Sequence, residues 1–125
     1  MIENSITQEI IGAAIDVHRE LGPGLLESIY QECLSIELTA RNIDFEQQKI
    51  IPIKYKQQVI QSNFRLDLLV ENKIIVELKA VENLLPIHEA QILTYLKLTD
   101  CKIGLLINFN VPVLKKGIKR IINGY

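Results

Sequence analysis

Cysteine is scarce in this sequence and never clustered. Cys33 and Cys101 are the only two, and no Cys-x-x-Cys or Cys/His group occurs, so a structural zinc site is not expected. Far apart, they are read as two buried free thiols in a reducing, cytoplasmic setting. Net charge is scarce too. Fourteen Lys and Arg against 15 Asp and Glu leave a formal charge of −1, which excludes a strongly basic footprint and leaves only local patches to meet a polyanion. Charges interrupt every long apolar run, so no transmembrane helix and no membrane partner are expected. Met1-Ile2-Glu3-Asn4 opens no basic segment followed by an apolar core, so no signal peptide is read there. Repeats, low-complexity tracts and linkers are absent as well. What is present is 125 residues, 48% of them hydrophobic, enough for one domain spanning residues 1–125 around a real core.

Helical periodicity comes first. Ser5 and Gln8 have capping-box spacing, and Ile6, Ile10, Ala13, Ala14, Val17 and Leu21 form an apolar stripe. Gly22-Pro23-Gly24 ends that helix. A second helix is expected from about Leu26 to Ala40, with Asn42 as its stop. Strands follow over Lys49–Lys56, Asn63–Val70 and Ile74–Val81, with a weak turn at Gln57-Gln58 and a turn at Glu71-Asn72-Lys73. Pro86 suits the first turn of a helix reaching about Leu98. Ile103–Phe109 is a continuous apolar run, as in a fully buried strand. Val113, Leu114, Gly117, Ile118, Ile121 and Ile122 recur at helical spacing, so a C-terminal helix is expected over Val113–Ile122. The fold class is α/β, a mixed sheet with helices on its faces.

Ionisable residues sit inside two of those strands. Asp67 lies within Leu66-Asp67-Leu68-Leu69-Val70, and Glu77 and Lys79 within Ile74-Ile75-Val76-Glu77-Leu78-Lys79. Such groups are costly to bury without partners. Strand alternation puts Phe64, Leu66, Leu68 and Val70 on one face and Arg65, Asp67 and Leu69 on the other. A three-residue turn pairs Val70 with Ile74 and so sets Asp67 opposite Glu77, with Cβ atoms roughly 4.5–5.5 Å apart. Two bare carboxylates at that distance repel, and a cation between them removes the conflict. Mg²⁺ prefers such oxygen ligands, and Asp67, Glu77 and the Leu78 carbonyl are its candidate ligands. Lys79 returns to the same face, beside an attacking water or a phosphate. Taken alone, Glu77-x-Lys79 also reads as an ordinary ion pair.

Other residues join this group by position. Gln91 and Tyr95, four apart, share a helix face, and His88 extends that stripe by a turn. Glu27 opens the second helix, where the helix dipole favours a carboxylate. Tyr30, one turn on, reads as core packing. His18 has no partner in sequence and is read as a hydrogen-bonded structural histidine. Lys115, Lys116, Lys119 and Arg120 form a modest basic cluster, read as a solvated face.

Asp67 followed by Glu77-Leu78-Lys79 resembles the PD-(D/E)xK nuclease superfamily, with Leu66 in place of its variable proline. Gly24-Leu25-Leu26-Glu27-Ser28-Ile29-Tyr30 resembles the hallmark of the bacterial GxxExxY proteins, a branch of that superfamily. Val17-His18, Leu21-Gly22-Pro23-Gly24, Val76–Ala80, Glu89-Ala90-Gln91, Tyr95-Leu96-Lys97 and Gly104–Phe109 are similar to the same branch. The likeness runs from about Ile10 to Ile122. It implies a restriction-endonuclease-like core of helix, three-strand meander, helix and strand, with an extra N-terminal helix and the C-terminal helix added here. It also implies roles: Asp67 and Glu77 as metal ligands with Glu27 as a further acid, Lys79 as catalytic lysine, and Gln91 and Tyr95 as the Gln-x-x-x-Tyr motif of the RecB-like branch. Tyr30 and His88 join these last two as site-organising positions.

The expected function is therefore a Mg²⁺- or Mn²⁺-dependent nuclease, with DNA ahead of RNA as substrate. The alternative from another class is a nuclease-fold binding or assembly module that no longer cuts. A homodimer or a protein partner stays open.

Overall fold

The computed structural model describes residues 2–61 and 64–124. Two helices come first, α1 (Ile2–Leu21) and α2 (Glu27–Ala40), followed by strand β1 (Phe45–Ile50). A small hairpin of β2 (Ile53–Tyr55) and β3 (Gln58–Ile60) intervenes before β4 (Arg65–Val70) and β5 (Ile74–Lys79). Helix α3 (Pro86–Thr99), β6 (Ile103–Asn108), a 3₁₀ turn (Leu114–Gly117) and β7 (Ile118–Ile122) complete the chain. The main sheet has the order β1-β4-β5-β6-β7. Among the described residues only the β5–β6 pair is parallel, because α3 carries the chain across between them.

The sheet separates two apolar clusters. On one face, Ile10, Ala13, Ala14 and Val17 of α1 and Tyr30, Leu34 and Leu38 of α2 pack on Leu68, Val70, Val76, Leu105 and Ile107. On the other, Ile92 and Leu96 of α3 pack on Leu69, Ile75 and Leu106. Every residue of β6 is buried, since it is covered on both sides and paired on both edges. The restriction-endonuclease-like arrangement expected from the sequence is thus the one found.

Helix punctuation follows local chemistry. Gly22 ends α1 at φ +70° while its N–H donates to the His18 carbonyl at 2.7 Å. Asn42, just past α2, takes the left-handed conformation at φ +59°. His18 Nε2 donates to the Val111 carbonyl at 2.8 Å, which makes it the structural histidine expected. Cys33 and Cys101 are both free thiols; Cys101 is buried and Cys33 half-buried.

Several expectations need correction. Helix α1 starts at Ile2, so Ser5 lies inside it and the Ser5/Gln8 capping box is not used. The strand expected over Lys49–Lys56 is two strands: β1 begins earlier, at Phe45, and ends before Pro52, which has no N–H to continue a ladder. The following hairpin turns at Lys56 and Gln57, both at positive φ, one residue before the expected place. Asn63, the expected start of the next strand, lies outside the described residues.

The C-terminal helix is the largest error. Residues 118–122 form edge strand β7, antiparallel to β6. Apolar residues three apart suit one face of a helix, but Ile118 packs with the α1/α2 cluster and Ile121 with the α3 cluster. A strand end offers both faces to both clusters, and these β-branched residues suit it. Gly117 lies so close to β6 that a Cβ there would collide with the Asn108 carbonyl oxygen.

Gly117→Ala therefore separates the two structures by sign. In a helix the change would add about 1 kcal/mol of stability. Against the Asn108 carbonyl it is expected to remove about 1–3 kcal/mol, measured by urea unfolding.

Candidate active site

The β4–β5 hairpin has the register expected from its turn. Glu71 and Asn72 both take left-handed φ, Lys73 N–H donates to the Val70 carbonyl, and Val70 pairs with Ile74. The backbone ladder runs to Leu68↔Val76 and stops. At the next level carboxylates replace carbonyls. The Asp67 N–H donates to Glu77 Oε2 at 2.8 Å, and the Leu78 N–H donates to Asp67 Oδ2 at 2.8 Å. Each acid thus takes the backbone donor of the opposite strand. In a strand the N–H and C=O of one residue share an edge. The Leu78 carbonyl therefore also faces the Asp67 side.

Strand alternation lapses at the same level. Phe64 and Leu66 pack in the α3 cluster, whereas Leu68 and Val70 pack in the α1/α2 cluster. The expectation that all four share one face is corrected. The partner strand does likewise: Phe45 packs on the α1/α2 side and Ile51 on the α3 side. Gln47 pairs with Leu68 and Lys49 with Leu66, so Gln48 stands opposite Asp67. Gln48 sits at φ +50°, a left-handed conformation that turns β1 out of its pleat. Both strands change face where neither is held by a regular ladder.

Glu77 is the buried member of the pair, 8% exposed; Asp67 is half-buried. Burial, and after it the charge of Asp67, pushes the Glu77 carboxyl up to about 8. The Asp67 N–H and the charge of Lys79 oppose that rise, while Glu27 adds to it. Lys79 is half-buried and, among the described residues, forms no ion pair. The ordinary Glu-x-Lys ion pair is therefore not what this structure contains. Lys79 is held by its backbone: its carbonyl accepts the Phe109 N–H at 2.9 Å, and it pairs with Asn108. Asn108, buried, clips the chain just beyond, accepting the Val81 N–H at 3.1 Å and donating to the Val81 carbonyl at 2.9 Å.

The remaining sequence-selected residues divide. Tyr95 is half-buried, and burial followed by the charges of Glu77 and Asp67 raises its hydroxyl above the usual value, which places it near the pair. Its ring packs on Phe64 with centroids 4.3 Å apart. Gln91 is exposed one turn earlier on α3. His88 uses Nδ1 to accept the Leu85 N–H at 3.0 Å, capping α3. Tyr30 stacks on Phe109 at 4.4 Å, and its hydroxyl donates to the Gly22 carbonyl at 2.6 Å and accepts the Leu25 N–H. It fixes the loop that leads into Glu27. Glu27 is exposed on α2, close enough for its charge to act on Glu77. Among the described residues no three His, Cys, Asp or Glu side chains stand together as a metal-holding group, so Glu27 is not brought into contact with the other two acids.

Two residues at the site escaped the sequence. Gln48 precedes the strand expected over Lys49–Lys56, and alternation puts Phe64 on the face away from Asp67. The fit for a divalent cation rests on the two acids: opposed carboxylates, one buried, that form no ion pair among the described residues and have the Leu78 carbonyl on the same edge.

A family model described as the PD-(D/E)XK nuclease superfamily matches residues 4–121. No curated protein and no solved structure matches the chain.

The raised Glu77 value fixes a pH dependence. Unfolded, the carboxyl loses its proton near 4.5; folded, near 8. The folded state holds the extra proton between these values, so the contribution of Glu77 to stability is full below the lower one and is lost as pH rises through the upper. In chelator, the unfolding midpoint is expected to fall across that window. Glu77→Gln should flatten the curve, and Mn²⁺ should raise the wild-type midpoint at pH 8.

Proposed function

We propose that this chain, which belongs to the PD-(D/E)XK nuclease superfamily, is a divalent-metal-dependent nuclease that hydrolyses phosphodiester bonds of DNA. The observation that carries the reading is the opposed Asp67–Glu77 pair with a lysine beside it that forms no ion pair among the described residues. Superfamily members generally use divalent metal ions, and the superfamily implies contact with nucleic acid. Here Mg²⁺ or Mn²⁺ is the proposed ion. Asp67, Glu77 and the Leu78 carbonyl would hold it, with Glu27 adding negative charge from α2.

When bound, the ion supplies Lewis-acid stabilisation of the charge that develops on the phosphoryl group. The chain's own residues do the rest. Asp67 and Glu77, each anchored on a backbone N–H, keep their remaining oxygens fixed instead of reorienting during the reaction. Lys79 brings a positive charge to the same face, where it orients the attacking water and offsets negative charge at phosphorus. Tyr95, braced by Phe64, restricts water on the α3 side. Gln91 offers an exposed amide to substrate from the same helix.

The GxxExxY branch is the finer assignment we infer. In its support, the three named positions of that motif each have a distinct place. Gly24 turns the chain at φ +101°, Glu27 is the first residue of α2, and Tyr30 pins the loop between them. A cytoplasmic location fits the two free thiols, and among the described residues no helix is long and apolar enough to cross a membrane. With a net charge of −1, grip on a duplex comes from local groups, and a second copy or a protein partner would extend it.

The test is cleavage of single- and double-stranded DNA and RNA in Mn²⁺. DNA cleavage is expected, and Lys79→Ala and Glu77→Ala should each slow it by about 10²–10³-fold with the fold intact. Cleavage confined to RNA would reassign the substrate. A folded wild-type protein that neither binds Mn²⁺ nor cuts would make the chain a non-catalytic binding module.

A further inference from the structure

Asp67 has two oxygens, and each has a different anchor. Oδ2 accepts the Leu78 N–H of β5 at 2.8 Å. Oδ1 receives the Gln48 side-chain amide of β1 at 3.5 Å, the long end of hydrogen bonding. An ionised carboxylate only accepts, so Gln48 must turn its NH₂ toward Asp67. The same NH₂ donates to Gln31 Oε1 at 2.9 Å, and Gln31 in turn donates to Gln47 Oε1 at 3.2 Å. The direction of the whole amide relay is thus set by the charge on Asp67. Gln31 lies one helical turn after Glu27 on α2, hence on the same face.

Backbone conformation adds a second, independent observation. Gln48 occupies a left-handed φ of +50°, where a side chain is unfavourable and glycine is the natural occupant. The position is exposed, so no burial accounts for keeping a long side chain there. What the side chain does is reach Asp67 on one side and α2 on the other.

We propose that Gln48 is a positioning residue for Asp67. Through Gln31 it ties the carboxylate to the helix that carries Glu27, so both acids keep one frame as an ion binds. The inference rests on the functional reading above. Hydrogen bonds to ligating carboxylates orient them, and their loss commonly costs about 10–100-fold in metal affinity or activity.

Gln48→Gly and Gln48→Met test it. Glycine relieves the left-handed strain, and methionine keeps length without an amide. The readouts are the Mn²⁺ dissociation constant by calorimetry and the unfolding midpoint in chelator. Both variants are expected to bind Mn²⁺ about 10-fold or more weakly, with the Gln48→Gly midpoint in chelator equal to or above that of the wild type. Gln31→Leu, which cuts the relay one step away, should weaken binding by a smaller factor. Wild-type affinity in both Gln48 variants overturns the positioning role and leaves the nuclease reading standing. A wild-type protein that binds no Mn²⁺ overturns the functional reading, and this inference with it.

Discussion

The exchange of backbone donors between Asp67 and Glu77 sets the terms for the rest of the molecule. Two acids directly across a hairpin repel, and burial of one sharpens the conflict. The structure relieves part of it by giving each carboxylate an N–H from the facing strand, in the place where the ladder would have supplied a carbonyl. The ladder must therefore stop at Leu68, and the sheet loses its regular pleat there. The changes of face in β1 and β4, the left-handed Gln48 and the packing of Phe64 on Tyr95 all lie around that interruption. Elsewhere the fold is conventional, with two apolar faces, a crossover helix and a fully buried strand.

Much of this was legible where one local rule decided the answer. A three-residue turn fixes hairpin register, so the opposition of Asp67 and Glu77 followed from counting. The four-residue spacing of Gln91 and Tyr95 put them on one helix face, and Gly22 and Asn42 marked helix ends through their tolerance of positive φ. Legibility failed where two rules gave the same pattern. Ile118 and Ile121, three apart, satisfy a helix stripe as readily as an edge strand that serves two faces, and only the neighbouring sheet distinguishes them. His88 shares the stripe of Gln91 and Tyr95, and its ring nitrogen also caps α3, a use the stripe alone does not reveal.

Other features were hidden by distance along the chain. Gln48 meets Asp67 across a 19-residue separation that contains an independent hairpin, so no local pattern announces the contact. Asn108 reaches Val81 across 27 residues. The match over residues 4–121 shows the superfamily, and the opposed acids with Lys79 beside them carry the proposed reading of the site. Tyr30 illustrates the difference. A motif marks its position, and the structure shows how it acts there, by holding the loop before Glu27.

The two acids are only 10 residues apart, on one hairpin. Their meeting needs no long-range closure. Burying them does, because α3 and β6 arrive through a crossover. In a chain that has made the hairpin alone, the carboxylates already face each other in water, where the high dielectric makes their repulsion mild. The repulsion grows when the crossover shuts water out. Assembly of the charged pair and the energetic cost of keeping it thus belong to separate parts of the chain. That division lets mutations in α3 or β6 tune how strongly the two carboxylates repel without touching either acid.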